Sequence, residues 1–418
     1  MVLTILYRWY RIAVIDFYKK GTVVHVDREL FKAVEDQLKG KEVVILLGPR
    51  QVGKSYILKW LKKGIEKDNI KTAFFDLENP ETLLKFNQSD QVVFKLLTGS
   101  GRFVFIDEFH YLKNASKLFK AVYDSNSRVK ILASGSSSIE IHKHLKESLA
   151  GRRYLVKVVP LTIHELENKL GHKAQDYYLR FGGLPGVLNK ANRQDRMSHL
   201  QELIQAYLIK DIKGLVKEEN VRAFNMLLYL LAQSQGSLVS VENLSREIGL
   251  TARSVHKYID IMQHTFVLGV LSSFSRNLGN ELKKSKKYYL YDIGIRNALI
   301  KDFRGLAKRE DKGSVLESAV YLSLTSNLMP NEDIKFWRTR DGKEVDFVLI
   351  RDRQPIPIEV KSNLMKMSVP NGLEAFLRKY PNVTKAYVVN NGVEGEIKYQ
   401  KTKVQFIHWS QCARNVIK

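Results

Sequence analysis

The chain has 418 residues, 44% of them apolar, enough for roughly two to four domains each with its own core. Its single cysteine, Cys412, excludes internal disulfides and a cysteine-built metal cage and points to a reducing cytoplasm. Lys and Arg number 68 against 44 Asp and Glu, a formal net charge of +24; this favours a polyanionic partner such as DNA, with a solubilising lysine-rich surface as the competing explanation.

Residues 1–18, MVLTILYRWYRIAVIDFY, are apolar, but Arg8, Arg11 and Asp16 interrupt the run and no basic n-region or cleavage site flanks it. An amphipathic docking helix is expected, with no membrane partner. Asp27 is expected to cap a helix over RELFKAVEDQLKG, which Gly40 ends.

An apolar run, residues 43–47, leads into GPRQVGKS and then into YILKWLKKGI, which has helical spacing. Strand, loop and helix in this order fit G-x-x-x-x-G-K-[ST], a phosphate-binding loop. The backbone of Gly48, Pro49, Arg50, Gln51, Val52 and Gly53 would curl around phosphates, Lys54 would reach the terminal ones, and Ser55 would ligate Mg²⁺, with Tyr56 following at the helix N-terminus.

Residues 71–77 read as a second buried strand, followed by a break at Asn79-Pro80 and a helix over residues 82–97. GRFVFIDEFHYL, residues 101–112, places Asp107 and Glu108 at the C-terminal end of a strand covered on both faces, where parallel α/β sheets bind ligands. Asp107 would hold the Mg²⁺ and Glu108 would polarise the attacking water. The strand VKILASGSSS should lie between the acidic strand and the phosphate-loop strand. Ser134 and Ser136 are both candidates to sense the γ-phosphate, and both serve equally as turn residues. Arg152 and Arg153 follow a glycine after a helical segment; either a γ-phosphate contact, in the same or a neighbouring subunit, or a helix-dipole or surface pair is expected of them.

The set GPRQVGKS, FIDEFH, ASGSSS, ESLAGRR, PLTIHEL and FGGLPGV, in this order along nearly the whole chain, resembles the prokaryotic AAA-type ATPases of archaea and bacteria that carry a C-terminal domain of unknown function. The resemblance implies ATP and Mg²⁺ as cofactors and ATP hydrolysis, and it leaves a homo-oligomer open.

Beyond residue 199 come two helices of core type, then residues 239–271 as helix, turn and helix, with strands near residues 266–274 and 286–291. This is a winged-helix layout. Arg253 and Lys257 (with Ser254 and His256) would face a DNA groove, and Lys283, Lys284, Lys286 and Lys287 would contact phosphates from the wing. In the last module, Glu317 on a helix, Asp346 on one strand and Glu359 and Lys361 on the next match the Glu, Asp, Glu-x-Lys pattern of restriction-endonuclease-like cores, with Asp346 and Glu359 as metal ligands. An isolated E-x-K on a strand is common, so the pattern serves a domain that grips nucleic acid as well as one that cuts it.

The expected architecture is α/β: an AAA-type, additional-strand P-loop ATPase with a parallel sheet over residues 1–214, a helical and winged-helix module over 215–300, and a nuclease-like α/β domain over 301–418. The expected function is a Mg-dependent ATPase coupled to DNA binding or remodelling. The alternatives are a slow nucleotide-state switch acting on a protein partner or operator, and an ATP-gated metal-dependent nuclease.

Overall fold

A computed structural model of the chain describes residues 26, 28–136, 149–213, 221–275 and 285–417. The expected N-terminal helix, the Asp27 cap, the boundary at Gly214, and Lys283 and Lys284 lie outside these residues. The chain divides into two compact units, Met1–Val159 and Pro160–Lys418.

Five parallel strands form the sheet of the first unit: β1 (Val43–Leu47), β2 (Thr72–Asp76), β3 (Phe103–Asp107), β4 (Lys130–Gly135) and β5 (Arg153–Lys157), in the order β2-β3-β4-β1-β5. The strand β4 therefore separates the acidic strand from the phosphate-loop strand, as the sequence leads one to expect. All five residues of β1 and of β3 are buried. Each such apolar side chain contributes about 1.5–3 kcal/mol, so the C-terminal ends of these strands stand on a rigid base. The single helix expected over residues 82–97 is two, Pro80–Phe86 and Asp90–Gly99. Asn79 caps the first by accepting from the N–H groups of Glu81 and Thr82. The polar triplet Asn87-Gln88-Ser89 separates the two and favours a turn.

The second unit holds two sheets. Three short antiparallel strands, β6 (Leu238–Val239), β7 (Leu268–Leu271) and β8 (Lys286–Leu290), lie in the order β6-β8-β7. Helices Val221–Gln233, Val241–Ile248 and Ala252–His264 share a core with them, built from Phe224, Leu228, Val255, Ile259, Tyr288 and Leu290 among others. Thr251 caps the last of these helices by accepting from Ser254 N.

The other sheet has six strands: β9 (Asp333–Arg338), β10 (Glu344–Arg351), β11 (Gln354–Lys361), β12 (Lys385–Asn390), β13 (Gly395–Tyr399) and β14 (Thr402–His408), in the order β13-β14-β12-β11-β10-β9. Helices Lys312–Thr325 and Asn371–Lys379 accompany it. The two sheets are stitched together where Phe274 N donates to Phe336 O and Phe336 N to Ser272 O, 2.5 and 3.0 Å. Within residues 302–313, Phe303 and Arg309 are buried. Arg309 bonds Asp302 O at 2.7 Å and pairs with Asp311 at 2.8 Å, while Arg296 reaches the same aspartate at 2.5 Å.

The FGGLPGV stretch is explained by close backbone approach. A Cβ on Gly183 would stand 2.1 Å from Leu161 O. Leu161 N donates to Gly183 O at 2.7 Å, and Gly183 N donates to the buried carboxylate of Asp292 at 2.8 Å.

Candidate functional site

The phosphate loop leaves β1 and enters the helix Lys54–Glu66. Positive φ at Gln51 (64°) and Gly53 (91°) turns the backbone into a concavity of the kind that binds anions. Gly48 has no room for a side chain, since a Cβ there would meet Val158 O at 1.9 Å. Lys54 is buried at the head of the helix, its Nζ donating to Gly48 O and Pro49 O at 3.0 and 2.8 Å. Ser55 and Tyr56 occupy the first helical turn beside it.

Asp107 ends β3, is 4% exposed, and accepts a hydrogen bond from the hydroxyl of Ser134 on β4. Glu108 follows in a left-handed backbone conformation, φ 52°, an uncommon one for a non-glycine residue and frequent at functional sites. Its Oε2 lies 3.1 Å from His110 Nδ1 and accepts from Ser136 N at 3.3 Å. Burial pushes its pKa up. His110, the Lys54 charge and Ser136 N–H outweigh that and hold the carboxyl below its ordinary range. The two serines left open by the sequence thus have different surroundings, Ser134 at Asp107 and Ser136 at Glu108. The Ser55 hydroxyl and the Ser134-oriented Asp107 carboxylate are hard oxygen donors of the type Mg²⁺ takes.

Arg152 and Arg153 lie elsewhere. The register Val43↔Arg153 and Leu47↔Lys157 puts them at the opposite end of β1 from the loop, about 13 Å along the strand. Arg152 pairs with Asp124 at 2.8 Å and covers the Tyr123 ring. A γ-phosphate contact within the same unit is therefore corrected for both, Arg152 making a surface pair instead, because strand register, not sequence distance, decides which end a residue occupies.

The arginine that touches the loop is Arg28, which the sequence gives no reason to single out. It is 8% exposed, and its guanidinium donates to Val52 O at 3.1 Å and Val159 O at 2.7 Å. Arg28→Ala is expected to loosen the loop, removing charge-assisted hydrogen bonds of about 1.5–3 kcal/mol each. A titration with a fluorescent ATP analogue should then show Kd raised by about tenfold; unchanged affinity would mean that the loop needs no such strut.

In the second unit Arg253, His256 and Lys257 are exposed on the helix Ala252–His264, and Lys286 is exposed at the start of β8. Lys287 is not: at 1% exposure it cannot contact phosphate, and its expected role is corrected. Strand alternation turns it inward, where Nζ lies 2.9 Å from Glu317 Oε1, 2.5 Å from Glu344 Oε1 and 3.8 Å from Asp346 Oδ1.

The Glu, Asp, Glu-x-Lys group does converge. Val360 N donates to Asp346 Oδ2 at 2.8 Å, and Lys361 Nζ to Glu359 Oε1 at 2.6 Å. Burial pushes the pKa values of Glu317, Asp346 and Glu359 upward, and the Asp346 charge adds to this for the two glutamates. Among the described residues, however, no group of three or more His, Cys, Asp or Glu side chains is arranged to hold a metal ion. Asp346 and Glu359, expected as metal ligands, share their pocket with an ammonium.

A second feature absent from sequence reasoning is a cleft of about 780 Å³ in this unit, with Arg180, Arg193, Arg304, Lys308 and Lys312 on its walls and Ser362 at the end of the E-V-K strand. Arg180 is occupied by Asp176 and Arg304 by Asp302, both at 2.8 Å. Arg304, Lys308 and Lys312 come from one stretch, residues 304–312, while Arg180 and Arg193 lie more than a hundred residues earlier, so no single run of sequence signals the set.

Residues 40–167 match the family described as AAA domain. Most of this match falls in the first unit. Residues 172–306 and 312–411 match two domains of unknown function, DUF8612 and DUF4143. An uncharacterized protein of Mycobacterium tuberculosis is 26% identical over 322 residues, covering 76% of this chain and 70% of its own. One from Methanocaldococcus jannaschii is 22% identical over 383 residues, covering 87% and 82%. Among solved structures, the replication initiator DnaA bound to AMPPCP and single-stranded DNA aligns with a TM-score of 0.31 at 11% identity, over 59% of this chain and 92% of that one. Cdc6p from Pyrobaculum aerophilum aligns with a TM-score of 0.27 at 14% identity, over 68% and 100%. Among the described residues no helix is long and apolar enough to cross a membrane.

Proposed function

We propose that the chain is a Mg-dependent ATPase whose nucleotide state governs how its basic second unit holds DNA. The observation that supports the reading is the parallel order β3-β4-β1, with Asp107 and Glu108 at the same end of the sheet as the phosphate loop and a serine from the end of β4 on each. ATP phosphates would lie in the loop concavity, and Lys54 would exchange its carbonyl partners for charged phosphate oxygens. Ser55 and Asp107 would hold the Mg²⁺, which when bound neutralises charge on the β- and γ-phosphates. Glu108 takes a proton from water as the water oxygen attacks the γ-phosphorus; the bond from that phosphorus to the β,γ-bridging oxygen breaks and ADP leaves. Ser136, whose N–H already touches Glu108, is the serine placed to report the γ-phosphate to the base.

For the second unit, the succession of helix, β6, two helices, β7 and β8 with β8 central supports a winged helix presenting Arg253 and Lys257. The helix Lys312–Thr325 followed by β9, β10 and β11, a helix and β12 supports a nuclease-like fold that grips nucleic acid. The basic cleft supplies a second stretch of phosphate contacts.

Lys54→Ala is the direct test: steady-state ATP hydrolysis should fall to background, and a variant as fast as wild type would remove the proposed centre. For DNA, log K against log salt concentration should be linear and steep, with about 0.9 lost from the slope for each phosphate contact removed. Arg193→Ala combined with Lys308→Ala should flatten it by roughly one to two units; an unchanged slope would exclude the cleft.

A further inference from the structure

We propose that Lys287 is the resident cation of the carboxylate pocket in the C-terminal module, standing where a divalent metal would stand, so that the pocket is a socket for β8 and is closed to metal while β8 is seated.

The argument begins with strand parity. In β8, KKYYL, side chains alternate, so Tyr288 and Leu290 enter the core beneath the helix Ala252–His264 while Lys287 and Tyr289 face the other way. That face is covered by the helix Lys312–Thr325 and by β10. Tyr289 stacks on Tyr321 with ring centroids 4.2 Å apart, and its hydroxyl donates to Glu317 Oε1 at 2.5 Å. Lys287 Nζ then meets Glu317, Glu344 and Asp346 within 4 Å and lies over the Phe336 ring, 5.8 Å from its centroid.

A lysine this deeply buried persists only because its charge is matched on several sides. The carboxylates, equally, need a positive charge among them. Glu359, 4% exposed, takes its own counter-ion from Lys361, which holds its Oε1 at 2.6 Å, so Lys287 is left to the other three carboxylates. The ammonium supplies one positive charge and three donors from β8, so the domain obtains its counter-ion from the neighbouring module. Lys286, one residue earlier, is exposed and takes no part.

Two measurements on the full-length protein test this. The first is Mn²⁺ binding without nucleotide, followed by electron paramagnetic resonance, for wild type, Asp346→Asn, Lys287→Met and Lys287→Met with Asp346→Asn. Wild type should show no Mn²⁺ binding that Asp346→Asn removes. Lys287→Met should gain a site about tenfold or more tighter than any wild-type binding, lost again in the double variant. Wild-type binding that depends on Asp346 overturns the proposal, and so does a folded Lys287→Met variant that gains nothing. The second needs no substitution: brief acetylation of the native protein, read by mass spectrometry, should modify Lys286 and spare Lys287. Equal modification of the two lysines would likewise overturn it.

Discussion

Glu108→Gln should stop turnover while leaving ATP bound. Glutamine keeps the shape of the side chain and removes the base, so kcat should fall by about 10²–10⁴-fold, the usual worth of a positioned general base. ATP affinity should stay near wild type because the loop, Lys54 and Ser55 are untouched. Single-turnover hydrolysis and equilibrium nucleotide binding, measured on the same preparation, separate the two quantities. Equal loss of both would show that Glu108 holds the site's shape rather than its chemistry. Hydrolysis at the wild-type rate would assign the base to another residue. The structure makes the substitution informative because Glu108 is oriented by His110 and by Ser136 N, so a change in rate reflects the carboxylate and not a wandering side chain.

The largest effect on stability is expected from Gly183→Ala. The added Cβ would fall 2.1 Å from Leu161 O. Relieving that clash separates Leu161 N from Gly183 O and Gly183 N from the carboxylate of Asp292, which also caps the helix Ile293–Leu299 through Ile295 N. Overpacking together with a buried acceptor left short of a donor costs about 3–5 kcal/mol, a fall in Tm on the order of 10 °C for a unit of this size. Gly313→Ala is the control. It lies in the helix Lys312–Thr325 with nothing within 4 Å of the added Cβ, and alanine there should be neutral or stabilising by up to about 1 kcal/mol. Differential scanning calorimetry of both variants decides the matter; a Gly183→Ala protein that melts with wild type would mean the backbone contact is dispensable.

Much of the nucleotide site was legible because its chemistry is local. GPRQVGKS carries strand exit, loop and helix entry within a few residues, and FVFIDE combines a buried strand with its acidic end. What escaped depends on register or on distance along the chain. Arg152 and Arg153 looked available to a phosphate until β5 paired with β1 and carried them to the far end. Arg28 reaches Val159 across 131 residues, which no window of sequence reveals. The dipeptide Lys286-Lys287 reads as one basic pair, although strand parity sends one lysine to water and the other among carboxylates. The positions of Asp346, Glu359 and Lys361 were readable from strand alternation; Lys287, contributed by a different module, was not.

The pairing of Lys287 with the last module bears on how the chain can be cut. A fragment beginning near residue 312, where the DUF4143 match starts, would keep Glu317, Glu344 and Asp346 but leave behind the strand that neutralises them, together with the tyrosine stacked on Tyr321. Such a piece would carry mutually repelling acids and a bared aromatic face, and should dissolve poorly or aggregate. A fragment beginning near Pro160, where the compact unit itself begins, keeps both sides of these contacts. The start of the matched sequence family and the start of the compact unit are, in this protein, different places.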